Sequence, residues 1–186
     1  MRSGKWIAAM LGAGAALGWG YANADDYATR LSGFQVTGGL GAAETGAILT
    51  DGQGTFRLDL DPKSQTATYT LTFSGLTSAV TMAHIHFGKK HVPGGIMVWL
   101  CQTTAKPSPV SGTPMCPTAG GTVSGTITAA SIVAIPGQNV PSGNFDALED
   151  ALKADTAYAN VHTVSFPAGE IRGQIRRVSK DHPQQD

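Results

Sequence analysis

Hydrophobic and polar side chains alternate with a period of two along much of the chain. The cleanest stretches are Thr55-Phe56-Arg57-Leu58-Asp59-Leu60-Asp61 and Ala67-Thr68-Tyr69-Thr70-Leu71-Thr72-Phe73. Successive side chains of a strand point to opposite faces, so Phe56, Leu58 and Leu60 turn inward and the threonines outward. Asp61-Pro62-Lys63-Ser64 between the runs is a turn signal, because proline suits the second turn position and aspartate the first. The two runs therefore predict a β-hairpin. Further strands are predicted at 31–36, 82–87, 96–100, 121–128, 158–164 and 170–177, with residues 38–43 a glycine-rich loop. One segment has helical spacing instead: Phe145, Leu148, Ala151 and Leu152 recur every three or four residues, and Ser142 or Asn144 can cap them. The pattern is mainly β and predicts an antiparallel Greek-key β-sandwich with one short helix.

The first segment stands outside this pattern. Arg2 and Lys5 precede an apolar run from Trp6 to Gly18, and Ala22-Asn23-Ala24 offers a small-x-small cleavage site before Asp25. This reads as a signal peptide over residues 1–24, with a bare membrane anchor as the alternative. The run is shorter than the ~20 residues a bilayer span needs, and no later stretch is longer, so no span is expected in the mature chain. The expectation is an exported protein, periplasmic or secreted, with one domain over residues 25–180 and a polar tail at 181–186. Without residues 1–24 the chain carries 11 basic and 13 acidic side chains. That balance lacks the basic patch of a nucleic-acid binder.

Cys101 and Cys116 flank a Thr-, Ser- and Pro-rich segment. In an oxidising compartment they are expected to form a disulfide, worth roughly 3 kcal/mol in the chain-entropy model. A pair of metal-binding thiolates is the alternative, but the spacing is not that of a zinc site.

The chemistry lies in Met82-Ala83-His84-Ile85-His86-Phe87-Gly88. As a strand it places Ala83, Ile85 and Phe87 on one face and Met82, His84 and His86 on the other. Same-face side chains two apart sit roughly 7 Å apart at the backbone, close enough for two imidazoles to lean onto one ion. His162 lies in a similar alternating run, Tyr158-Ala159-Asn160-Val161-His162-Thr163-Val164. If the two strands are neighbours, the three histidines converge on one metal. Copper is the first choice at such a nitrogen site and zinc the second. Met82 would add a soft thioether, and His91 a fourth ligand or an access-route residue. Glu170, Asn160 and Tyr158 are candidates for the shell behind the ligands, Glu170 also for an ion pair or hydrogen bond locking the last strand.

Three groups of residues carry a family resemblance. They are Ala83-His84-Ile85-His86-Phe87-Gly88; Gly94-Gly95-Ile96-Met97-Val98-Trp99-Leu100-Cys101 with Gly125-Thr126-Ile127; and Tyr158-Ala159-Asn160-Val161-His162-Thr163 continuing through Phe166-Pro167-Ala168-Gly169-Glu170-Ile171-Arg172-Gly173-Gln174-Ile175. Together they resemble the CHRD domain, the module repeated in chordin and found singly in exported bacterial proteins. The resemblance spans residues 33–177 and implies a β-sandwich, while leaving activity open. His84-Ile85-His86-Phe87-Gly88 is also similar to the strand that supplies two copper ligands in copper/zinc superoxide dismutase, with His162 standing where another copper histidine comes from a distant strand. That enzyme's histidine-rich zinc loop has no counterpart, since the loop after Phe87 offers only His91.

No serine sits in a nucleophile elbow, and neither a phosphate-cradling loop nor a glycosidase-type carboxylate pair is present. Three functions follow, in this order: a copper-type metal-binding protein, a metal-free module that binds another exported protein, and a dismutase-like enzyme.

Overall fold

The computed structural model describes residues 25–38 and 46–178. The expected leader (1–24), most of the glycine-rich loop and the polar tail (181–186) lie outside the described residues. Nine strands and one helix follow in the order β1 (Asp25–Ser32), β2 (Gln53–Asp61), β3 (Thr66–Ser74), β4 (Val80–Phe87), β5 (Gly95–Cys101), β6 (Gly121–Ile127), α1 (Phe145–Lys153), β7 (Ala157–Thr163), β8 (Ile171–Gln174) and β9 (Arg176–Arg177).

The strands make one continuous antiparallel sheet, ordered β5-β4-β7-β8-β1-β2-β3-β6, with β9 also on β1. The sheet folds over so that its ends approach each other as a nearly closed sandwich. The Tyr69 hydroxyl on β3 donates to the Leu100 carbonyl on β5 at 2.6 Å, and Val98 of β5 bridges to Ile132, just beyond β6. Cys101 at the end of β5 is disulfide-bonded to Cys116, before β6. Between the halves lies an apolar core that includes Phe56, Leu58, Leu71, Phe73, Ile85 and Leu100. Truncating a buried phenylalanine such as Phe56 to alanine would cost about 3–5 kcal/mol.

The hairpin of β2 and β3 runs in register from Gln53 opposite Ser74 to Asp61 opposite Thr66. Its turn is held by the Asp61 carboxylate, which accepts from the Lys63 amide at 3.0 Å and the Ser64 hydroxyl at 2.8 Å. The helix is capped by Asn144, whose side-chain oxygen accepts from the Ala147 amide. It buries Phe145, Leu148, Ala151 and Leu152, the residues its spacing singles out.

Two elements differ from the expectation. The first strand spans Asp25–Ser32 rather than 31–36 and pairs with β2 along its whole length, because a whole neighbouring strand stabilises it. It ends where Gly33 opens a 3₁₀ turn against Ile48, so close that an added Cβ would lie 2.2 Å from the Ile48 carbonyl oxygen. The last run is also split at Ile175: β8 pairs with β7 and, at Arg172, with β1, whereas β9 pairs with β1.

The arrangement that matters for chemistry is β4 beside β7, within one half of the sandwich. Every residue of β7 is buried. Ala159 and Val161 belong to the apolar core, so the alternate side chains, with those of β4, lie under loops on the opposite face.

Candidate metal centre

Antiparallel pairing of β4 with β7 places Met82 opposite His162, His84 opposite Asn160 and His86 opposite Tyr158. His84 and His86 are same-face neighbours along one strand, and His162 is diagonal to His84. Such neighbours start about 7 Å apart at the backbone and meet only if their rings lean together. Here they do. Ring centroids are 5.4 Å apart for His84–His86, 5.0 Å for His84–His162 and 5.9 Å for His86–His162. One ring nitrogen from each lies within 4.8 Å of the others. The β4–β5 ladder carries irregularities on both sides of His84–Ile85, and bulges of this kind re-aim side chains.

Backbone carbonyls orient two of the rings. His162 Nδ1 is 2.8 Å from the Pro167 oxygen, and His86 Nδ1 is 3.0 Å from the Gly94 oxygen. A carbonyl only accepts, so each Nδ1 carries the proton and each Nε2 keeps its lone pair. His84 Nδ1 lies 3.2 Å from His162 Nε2. Two donors at 2.0–2.1 Å from a tetrahedral ion are about 3.3–3.4 Å apart, so this spacing suits coordination with little movement. The ion would take the place of the proton in that bond, and neutral His84 would then carry its proton on Nε2 instead of Nδ1.

Burial does the rest. His84 is fully buried, and His86 and His162 nearly so. Burial pushes the His162 pKa down to about 4, outweighing the opposite effect of its bond to Pro167. His86 is pushed down to about 3 by burial and by the nearby His162, with Arg172 adding to the effect. His84 falls well below its ordinary value, chiefly through burial and then through His162 and His86. All three are therefore neutral ligands at pH 7. His84 Nε2, His86 Nε2 and Asn160 Oδ1 are buried without hydrogen-bond partners. An orphaned buried polar atom costs about 1–3 kcal/mol, and an ion taking the His86 lone pair would relieve one of them.

The candidates for the surrounding shell fall into distinct places. Tyr158 stacks parallel on His86, centroids 4.8 Å apart, and its hydroxyl accepts from the Gly94 amide at 3.1 Å. Burial raises its pKa. Asn160 donates to the Ala168 carbonyl at 3.2 Å, in the turn that also carries Pro167. Glu170 touches no histidine. Its carboxylate accepts from Thr50 Oγ1 at 2.7 Å, Thr77 N at 2.8 Å, Thr77 Oγ1 at 3.0 Å and Thr163 Oγ1 at 2.8 Å, which ties three segments together. Met82 is half-buried and directly across from His162. His91 is exposed, with a left-handed φ of 62°, and lies outside the three-histidine group.

Four contributors escape a reading of the sequence. Gly94 and Pro167 act through backbone oxygens, which no side-chain pattern announces. Trp99 stands across from His84 on β5, edge-on with centroids 4.3 Å apart. Arg172 places its guanidinium carbon 3.5 Å from the centre of the Tyr158 ring. Its position two residues after Glu170 was the available signal.

The profile of the CHRD domain matches residues 28–175. No curated protein and no solved structure matches the chain. The match covers every strand of the candidate centre and most of the chain, and the protein therefore belongs to the CHRD domain family.

Proposed function

We propose that this is an exported CHRD-domain protein that binds a single copper-type ion through His84, His86 and His162, in copper handling or tolerance. The observation that carries this reading is the convergence of three buried imidazoles, one nitrogen of each within 4.8 Å of the others. Copper is preferred over zinc because it binds a given nitrogen site more tightly. Met82 is the candidate additional ligand, and exposed His91 the residue on the access route. Export is supported by the apolar, signal-like segment over residues 1–24 and by the Cys101–Cys116 disulfide. Residues 25–180 form the domain in this reading. Among the described residues no helix is long and apolar enough to cross a membrane.

Metal titration of the chain lacking residues 1–24 tests the proposal, with folding of each variant checked by circular dichroism. One copper per chain is expected, with affinity falling at least ~100-fold in His84→Ala and in His162→Ala. Unchanged affinity in both variants would remove the site. The second reading is a metal-free module for another exported protein, favoured by the exposed apolar side chains of Phe34 and Leu49. Protein that takes up no metal would select it.

A further inference from the structure

Arg172 is 2 % exposed and forms the outer layer of a column: guanidinium over Tyr158, Tyr158 parallel to His86. Its hydrogen-bond partners among the described residues are neutral, namely the Thr37 hydroxyl and the carbonyls of Lys89 and Val92. The ion pairs among the described residues are Lys153–Glu149, Arg176–Asp155 and Arg177–Asp25, none of which includes it. The buried Glu170 carboxylate is committed to threonines. Among the described residues, a buried positive charge thus stands behind one ligand ring without a carboxylate to offset it.

The donor set points the same way. Three neutral imidazoles make up the group, and among the described residues no carboxylate or thiolate joins them. The remaining candidate donor, Met82, is a thioether opposite His162. In a low-dielectric interior a fixed positive charge disfavours a divalent ion more than a monovalent one. A soft thioether suits Cu(I), whereas Zn(II) held by three imidazoles needs a fourth donor such as water, and Cu(II) favours a tetragonal nitrogen and oxygen set. We propose that the centre selects Cu(I) over Cu(II) and Zn(II), and that Arg172 sets this preference by acting through Tyr158 and His86. The inference rests on the three-histidine reading of the site.

The test compares affinities for Cu(I), Cu(II) and Zn(II), with ascorbate as the one-electron reductant and a chromophoric Cu(I) chelator as competitor. The midpoint potential of the bound copper is measured alongside. Unmodified protein is expected to hold Cu(I) at least ~100-fold more tightly than Zn(II). Arg172→Gln is expected to move the Cu(I)/Cu(II) affinity ratio about tenfold toward Cu(II), a potential ~59 mV lower. Arg172→Lys, which keeps the charge, is expected to stay within about threefold of the unmodified ratio. Equal or tighter binding of Zn(II) or Cu(II) by the unmodified protein overturns the selectivity, and an unchanged ratio in folded Arg172→Gln overturns the role of Arg172. If Arg172→Gln does not fold, the unmodified affinities decide the selectivity and a neutral Arg172→Met variant takes over the second arm. Unmodified protein that binds none of the three ions sinks the metal site itself, a separate outcome.

Discussion

His84 and His162 are 78 residues apart in the chain, yet Nδ1 of one lies 3.2 Å from Nε2 of the other. Because that pair exists only in the folded state, an ion bound there stabilises the fold by mass action. At a free concentration 100 times its Kd the gain is about 2.7 kcal/mol. For a domain of this size that is a rise in Tm of roughly 5–10 °C. Differential scanning calorimetry should show the rise on adding copper, and none in folded His162→Ala.

Acid should destabilise the metal-free protein early. The folded pKa values of His84, His86 and His162 lie below the ordinary histidine value of 6.5. The unfolded chain therefore takes up protons first as pH falls. Stability is complete above about pH 6.5 and declines as pH falls toward about 4 for His162 and about 3 for His86. Each histidine adds a slope of about 1.4 kcal/mol per pH unit within its window. Urea unfolding at pH 7.0, 6.0 and 5.0 should show the loss, and His86→Phe, which has no proton to gain, should flatten it.

Trp99 offers a built-in reporter. The other two tryptophans are Trp6 and Trp19, so the indole emission of a chain lacking residues 1–24 comes from Trp99 alone. Its ring lies edge-on to His84 at 4.3 Å. Copper bound at His84 should quench the indole emission strongly and stoichiometrically. Emission unchanged at one equivalent of bound copper would place the ion elsewhere.

Gly94→Ala should weaken both the fold and the metal. An added Cβ would come 1.8 Å from the Phe87 carbonyl oxygen, so backbone must move. The same residue's carbonyl fixes the His86 ring. Losing such an orienting contact typically costs 10–100-fold in metal affinity. A drop in Tm accompanied by that loss is expected on titration.

Glu170→Gln separates a lock from a ligand-orienting role. Two of the four hydrogen bonds to the carboxylate would have to reverse, and bonds to a charged group are worth about 1.5–3 kcal/mol each. Tm should fall by several degrees. Copper affinity should stay within about threefold, since Glu170 contacts none of the three rings.

How far the sequence reveals this molecule depends on the range of the forces involved. The hairpin of β2 and β3, the helix with its Asn144 cap and the face shared by His84 and His86 follow from local periodicity. The first strand did not, because pairing with β2 outweighs the weak pattern at Asp25-Asp26-Tyr27. The place of His162 could be inferred only by supposing that two distant runs are neighbours. Arg172 and Trp99 were missed because their partners, Tyr158 and His84, are reached only across the sheet. For Glu170 the sequence left two places open, behind a ligand or locking the last strand, and its threonine partners, drawn from three segments, answer to the second.

Strand β1 carries a further consequence. It lies inside the sheet, with β2 on one edge and β8 and β9 on the other, so Tyr27 faces Leu58 as well as Arg177. One of its edges is completed only by residues at the opposite extreme of the domain. Closure therefore waits on very long-range contacts, which makes for slow folding. An open row of amides stays available meanwhile to any stray strand, and this row is where a kinetic trap or a chaperone would first take hold.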